Sequence, residues 1–226
     1  YEIGVRLVGS EMCIRDSDYL LFDACFMSSI EALYDLRGCA DRIIASPCEV
    51  MAAGFNYTDI LPHLLADAGT SYDLPGVCSE YHDYYMNRAT TKSGCIALTV
   101  TGELEPLAAI VKEIETKYPG KTYDRASLQT YEGLDEHVFY DLQGYIEAIC
   151  DEKDPLLDKF RAQMGKAFPT ESRLHTPSFY SVYGLGDAPN GMHTIEDGKY
   201  SGVTTSAPCE RFAPEWAQTS WYRATH

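Results

Sequence analysis

The sequence predicts an α/β fold: a layered sheet covered by helices, followed by a mixed α+β C-terminal region. Three observations predict it. An apolar run at residues 19–22 leads into a helical period and then into a second apolar run at 42–46. That strand–helix–strand succession implies a right-handed parallel crossover. A third run, 94–101, precedes a further helical period. After residue 120 the pattern loosens into short segments of both kinds.

Each element has a local reason. Tyr19-Leu20-Leu21-Phe22 ends at Asp23 and reads as a buried parallel strand. A helix is expected over 28–36, with Ile30, Leu33, Tyr34 and Arg37 at spacings of three and four. Ser28 or Ser29 can cap it and Gly38 stops it. Pro47 closes the strand at 42–46. A helix is expected over 58–66, weakened by Pro62, and another over the tyrosine-rich 76–88. The strand at 94–101 turns at Gly102. Leu104, Leu107, Ile110, Val111 and Ile114 give 103–118 a helical face, which Pro119-Gly120 ends. Further on, helices are expected over 139–149 and 156–168, and strands over 179–183 and 203–206 joined by a Gly- and Asp-rich loop. A short helix over 216–222 carries both tryptophans.

Composition narrows the function. The chain has 226 residues and is 45% hydrophobic, enough to bury a core. No stretch approaches the length of a membrane-spanning helix. Asp and Glu number 34 against 18 Lys and Arg, a formal charge of −16, which repels a phosphate backbone and argues against nucleic-acid binding. A basic ligand or peptide is compatible with that charge. The 8 cysteines form no C-x-x-C pair, so a structural zinc site lacks its usual spacing. Most read as free buried thiols. Tyr81, Tyr84 and Tyr85 with His82 read as helix packing, and residues 187–191 as a turn lacking the calcium-loop spacing. Gly184-Leu185-Gly186 is too short to be a phosphate loop.

Cys25 stands apart. It follows an apolar strand and precedes an expected helix start, where ligand and catalytic residues concentrate. A helix N-terminus favours thiolate over thiol, and its N–H groups can bind an oxyanion. The surrounding words sharpen this reading. Leu20-Leu21-Phe22-Asp23-Ala24-Cys25-Phe26-Met27 resembles the nucleophile segment of the clostripain-like cysteine peptidases, in the caspase, gingipain and legumain clan. The resemblance continues through Glu31, through Ala40-Asp41-Arg42-Ile43-Ile44-Ala45-Ser46, and through Glu49 and Gly54-Phe55-Asn56-Tyr57. It is strong to Leu61 and fainter to about residue 210.

The resemblance implies a caspase-like three-layer α/β/α core, partial because its N-terminal strands are missing. It also implies proteolysis through a Cys25 acyl-enzyme, with cleavage after Arg or Lys. Asp23 matches the acidic residue that lines the pocket for the basic side chain, and Glu49 is a second candidate there. No cofactor is implied. The partner is a protein or peptide with a basic residue before the cut bond. The intact parent is expected to be a secreted or envelope-attached bacterial endopeptidase.

The family's catalytic His lies upstream of its Cys, in a His-Gly motif. No histidine precedes Cys25 here; all six lie downstream. Residues 8–17 resemble translated adapter sequence, so the natural chain is expected to begin near Asp18. The expected organisation is a non-native leader over 1–17, a partial peptidase core over 18–120 and a mixed region over 121–226. Such a fragment would be inactive and leave an unpaired sheet edge. Two other readings stand beside it. One is a non-catalytic pseudoenzyme or envelope binding protein on the same fold. The other is an unrelated cysteine hydrolase using His137 or His175, which requires one of those rings beside Cys25.

Overall fold

A computed structural model describes residues 17–65, 71–183 and 189–226. The leader expected over 1–17 lies outside these residues except for Ser17, and so do Gly184-Leu185-Gly186 and the start of the turn at 187–191.

The central sheet has four strands in the order β1-β2-β3-β5: β1 (Ser17–Leu21), β2 (Ala40–Ala45), β3 (Cys95–Val100) and β5 (Arg173–His175). β1 and β2 run parallel, with Leu20 opposite Ile43, and α1 (Ile30–Leu36) joins them as the first crossover. β3 has the opposite direction. It runs antiparallel to β2, with Ile44 opposite Leu98, and β5 runs antiparallel to β3. The reason lies between the strands. The chain makes two helices there, α2 (Tyr57–Leu64) and α3 (Leu74–Asp83), and the Asp73 N–H donates to the His63 carbonyl where they meet. The helical hairpin, with α2 packed on α3 and α3 on the sheet, returns the chain to the end it left, and the next strand runs antiparallel.

Alternation along the strands sorts the core into two layers. Leu20, Ile43 and Ala45 face one cluster, built with α1, α4 (Leu104–Lys117), α5 (Leu142–Ile149), α6 (Pro155–Ala167) and α8 (Ser220–Thr225). Its buried centre includes Ile30, Leu107, Ile146, Phe160 and Trp221, so it draws on both sides of residue 120. Tyr19, Leu21, Ile44, Ile96 and Leu98 face the other cluster, with Phe55, Val77, Tyr81 and Tyr85. The tyrosine-rich helix is thus a packing element. It loosens into a π-helical turn at Tyr84–Arg88 rather than staying regular. Among the described residues β1 pairs on one side only, and its Leu20 and Leu21 are half-buried.

The C-terminal region is stitched on by buried polar groups. β4 (Tyr140–Asp141) pairs with β8 (Thr204–Thr205), and β6 (Ser178–Tyr180) with β7 (Met192–Thr194), a strand the sequence pattern did not predict. The helix expected from 139 begins instead at Leu142, because Asp141 caps it by accepting from the Gly144 N–H at 2.8 Å. α7 (Ala213–Trp216) and α8 replace the single helix expected over 216–222. Glu31, in the first turn of α1, accepts from the Thr205 hydroxyl, the Ser206 N–H and the Trp216 indole N–H. Four bonds, counting that from the Ser29 hydroxyl, satisfy a carboxylate that is 8% exposed. No helix of the described residues is long and apolar enough to cross a membrane.

Candidate active site

Parallel β1 and β2 end side by side, and the chain beyond them builds the site. Pairing persists one residue past β1, where the Phe22 N–H donates to the Ile44 carbonyl at 2.9 Å. It resumes at Phe26 N–H to Cys48 O and Ser28 N–H to Ser46 O, both 3.0 Å. Between these ties Asp23, Ala24 and Cys25 bulge outward, and all three are exposed. The bulge closes at Phe26, whose φ of 59° is left-handed. That conformation costs a bulky residue on the order of 1–2 kcal/mol. The Phe26 ring stacks on Phe139, centroids 4.6 Å apart and planes 2° from parallel, which helps to offset it.

Cys25 is the exposed cysteine among the described ones; Cys48, Cys78, Cys95, Cys150 and Cys209 are buried and Cys39 is partly so. The Val50 N–H donates to Cys25 Sγ at 3.3 Å. The helix terminus expected beside it is farther along. Ser28 still pairs with Ser46, Ser29 bridges Thr204, and α1 starts only at Ile30. A helix terminus acts within its own first turn, and the group that meets Cys25 Sγ is the Val50 backbone rather than the start of α1. Ser29 occupies the cap position without a side-chain cap bond.

Asp23 is cradled from the side of α2. Its Oδ2 accepts from the Tyr57 hydroxyl at 3.0 Å and the Phe55 N–H at 3.4 Å. Burial, and then Asp23 itself, push the Tyr57 hydroxyl pKa up. Gly54 makes the cradle possible: its φ is +62°, and a Cβ there would lie 2.6 Å from Asp23 Oδ2. The Tyr85 hydroxyl holds the Gly54 carbonyl at 2.8 Å. Both bonds fall on one carboxylate oxygen, and Asp23 stays exposed two residues before Cys25.

Glu49 lies in the same corner but is engaged differently. Its Oε1 accepts from the Ser181 hydroxyl at 2.8 Å and the Val182 N–H at 2.9 Å, and its Oε2 from that N–H at 3.2 Å. The structure therefore gathers Cys25, Asp23 and Glu49 around two adjacent strand ends. It adds Val50, Gly54, Tyr57 and Ser181, which sequence reasoning did not single out for chemistry. The run Gly54 to Tyr57 was the available signal for the cradle; a backbone N–H such as that of Val50 leaves none.

The histidines are occupied elsewhere. His137 Nδ1 bonds Glu132 at 2.9 Å and His175 Nδ1 the Thr176 carbonyl at 2.9 Å. His63 pairs with Asp73, His82 with the His175 carbonyl, His193 stacks on Phe179 and His226 on Tyr222. Among the described residues none of them is a hydrogen-bond partner of Cys25, whose sulfur meets the Val50 backbone instead.

The clostripain family matches residues 12–194. No curated protein matches the chain. Among solved structures, a clostripain from Bacteroides thetaiotaomicron in complex with the peptide inhibitor BTN-VLTK-AOMK is 33% identical. The match covers 93% of this chain and 87% of that one, with a TM-score of 0.80. A secreted C11 cysteine protease from the same species, iotapain, is 34% identical over 92% of this chain, also at a TM-score of 0.80. An inactive zymogen C11 protease from Parabacteroides distasonis is 28% identical over 96% of this chain, at 0.79. The chain spans 55% of the iotapain chain and 61% of the zymogen. An exposed cysteine at the end of a parallel strand, a caspase-like layered core and these matches agree, and the chain belongs to the clostripain family, with the fold of its cysteine proteases.

Proposed function

We propose that this chain is the nucleophile-bearing part of a clostripain-like cysteine endopeptidase that cuts after Arg or Lys. The observation that carries the reading is an exposed Cys25 sulfur receiving the Val50 N–H, next to the exposed carboxylate of Asp23. Cys25 Sγ attacks the peptide carbonyl carbon; the S–C bond forms, the C–N bond breaks and the amine leaves with a proton. Water then hydrolyses the thioester. Asp23 meets the cationic side chain before the cut bond through a charge-assisted hydrogen bond, while both carboxylate oxygens of Glu49, the second candidate, are engaged by Ser181 and Val182. The inhibitor bound by the Bacteroides clostripain is written VLTK, a peptide ending in lysine, which supports a basic preference.

The base that takes the thiol proton comes from another part of the protein, since each histidine of the chain has a different partner. The chain alone therefore turns over little substrate. Residues 18–120 supply the nucleophile and 121–226 the mixed region packed on it. The intact protein is secreted or attached to the envelope, in keeping with its secreted relative.

A single alkylation needs no turnover, so an affinity label tests this reading on the chain itself. A peptide ending in a lysyl acyloxymethyl ketone is expected to leave its thioether on Cys25, at least tenfold faster than the glutamyl counterpart. Equal labelling by both reagents, or labelling of other cysteines, would overturn the reading in favour of a non-catalytic binding protein on the same fold.

A further inference from the structure

We propose that Ser181 and Glu49 form a clip that positions the nucleophile by holding the Val50 N–H against Cys25 Sγ. The inference rests on the reading of Cys25 as nucleophile and assigns its neighbours a role. Glu49 immediately precedes Val50, so the anchor of its side chain sets the plane of the peptide whose N–H meets the sulfur. That anchor is complete: Ser181 and Val182 engage both carboxylate oxygens, from 132 and 133 residues away in sequence. A carboxylate used up in this way is a fastener rather than a receptor for a substrate cation.

The far end of the clip is built with equal care. Ser181 is fully buried. Its single hydroxyl proton goes to Glu49, and its oxygen accepts from the Gly133 N–H at 3.1 Å and the Tyr183 N–H at 3.2 Å. The Ser181 N–H donates to the Gly191 carbonyl at 2.9 Å. Gly133 must lack a side chain, because a Cβ there would stand 2.2 Å from the Tyr183 carbonyl oxygen. At the near end the Ser46 hydroxyl bonds both the N–H and the carbonyl of Cys48 at 3.1 Å, and the Cys48 carbonyl receives the Phe26 N–H. The segment from Ser46 to Val50 is thus tied at both ends, with the nucleophile's partner at its tip. Ser181 and Glu49 touch no substrate; they are positioning residues, and they link the C-terminal region to the reactive sulfur.

Charge and position make opposite predictions here, which makes the clip testable. Removing a carboxylate near a thiol favours the thiolate, so a purely electrostatic Glu49 predicts faster alkylation in any neutral variant. The clip predicts that Glu49→Ala releases Val50 and leaves fewer thiolates, partly offset by the greater nucleophilicity of each. The net expectation is Cys25 alkylation by iodoacetamide about threefold slower at neutral pH. Glu49→Gln keeps an acceptor for both donors and recovers the rate, and Ser181→Ala slows it. Rates are read cysteine by cysteine on the full chain by mass spectrometry. Buried Cys78 reports unfolding, so a loss of fold in Ser181→Ala leaves the Glu49 pair to decide. Equal or faster labelling in Glu49→Ala, or equal slowing in Glu49→Ala and Glu49→Gln, would overturn the clip. If Cys25 of the parent chain labels no faster than Cys39, it is the nucleophile reading that fails.

Discussion

The chain leaves β1 through Asp23-Ala24-Cys25 and leaves β2 through Pro47-Cys48-Glu49, an acid and a cysteine at the same end of two parallel neighbours. The two corners carry the same residue types and do opposite things. Cys25 bulges into solvent and its sulfur receives a backbone N–H. Cys48 is 1% exposed, and burial, reinforced by the neighbouring Cys95 thiol, pushes its pKa well above the ordinary range. Asp23 is exposed with bonds on one oxygen, whereas Glu49 has both oxygens bound by Ser181 and Val182. Exposure and contacts are set here by how far the backbone lifts a residue from the sheet, not by residue type.

The largest expected effect breaks the comparison outright. Cys25→Ala should abolish labelling by the lysyl ketone, while Cys48→Ala should keep most of it; adduct mass by peptide mapping decides. Next comes the cradle. Gly54→Ala forces a Cβ into the left-handed region and against Asp23, and should cost about 1–3 kcal/mol in denaturant unfolding. A gain in stability would contradict the cradle geometry. The charge difference is smaller. Cationic aminoethyl methanethiosulfonate should modify Cys25 faster than its anionic sulfonatoethyl analogue, and Asp23→Asn should lower that ratio about fivefold. An unchanged ratio would mean that Asp23 does not face the sulfur's approach.

The smallest effect concerns the loop that carries Phe139 to Phe26. Burial pushes Glu132 up, but His137 and the N–H groups of Val138 and Leu134 outweigh it and leave the carboxyl lowered. Glu132 in turn raises His137. A lowered carboxyl gives its full stabilisation above its ordinary value of 4.5 and loses it as pH falls through the folded value. A raised His gives its full share below 6.5 and loses it as pH climbs through the raised value. The pair is therefore strongest between about pH 4.5 and 6.5. Hydrogen exchange at Val138 and Phe139, whose N–H groups donate to Glu132, should show peak protection in that window after correction for intrinsic rates. Flat protection from pH 3 to 9 would contradict it.

Much of the first corner was legible in the sequence and little of the second. Tyr19 to Phe22 and Arg42 to Ser46 are apolar runs with clear stops, so their strands and the helix between them follow from periodicity alone. Cys25 stood out because it follows such a strand, and Asp23 because the resemblance to the clostripain-like peptidases matches it to their pocket acid. The antiparallel direction of β3 was hidden, since it depends on the end of the sheet to which the intervening helices return the chain. β4, β7 and β8 are too short to carry a period, and tertiary partners rather than propensity define them. The clip was invisible for a simpler reason: Ser181 and Glu49 are far apart in the chain, and the group they position is a main-chain N–H. The expected helix start near Cys25 came too early because Ser28 and Ser29 read as caps but still pair with Ser46 and Thr204.

The central claim is that Cys25, and not its neighbour at the end of β2, is the reactive thiol. Limited alkylation of the native chain with iodoacetamide at neutral pH, quantified at each cysteine and repeated in denaturant, tests it most directly. The account predicts that Cys25 labels at least about a hundredfold faster than Cys48 in the folded chain and faster than half-exposed Cys39, with the differences collapsing on unfolding. Comparable native labelling of Cys25 and Cys48, or a Cys25 no faster than Cys39, would contradict it.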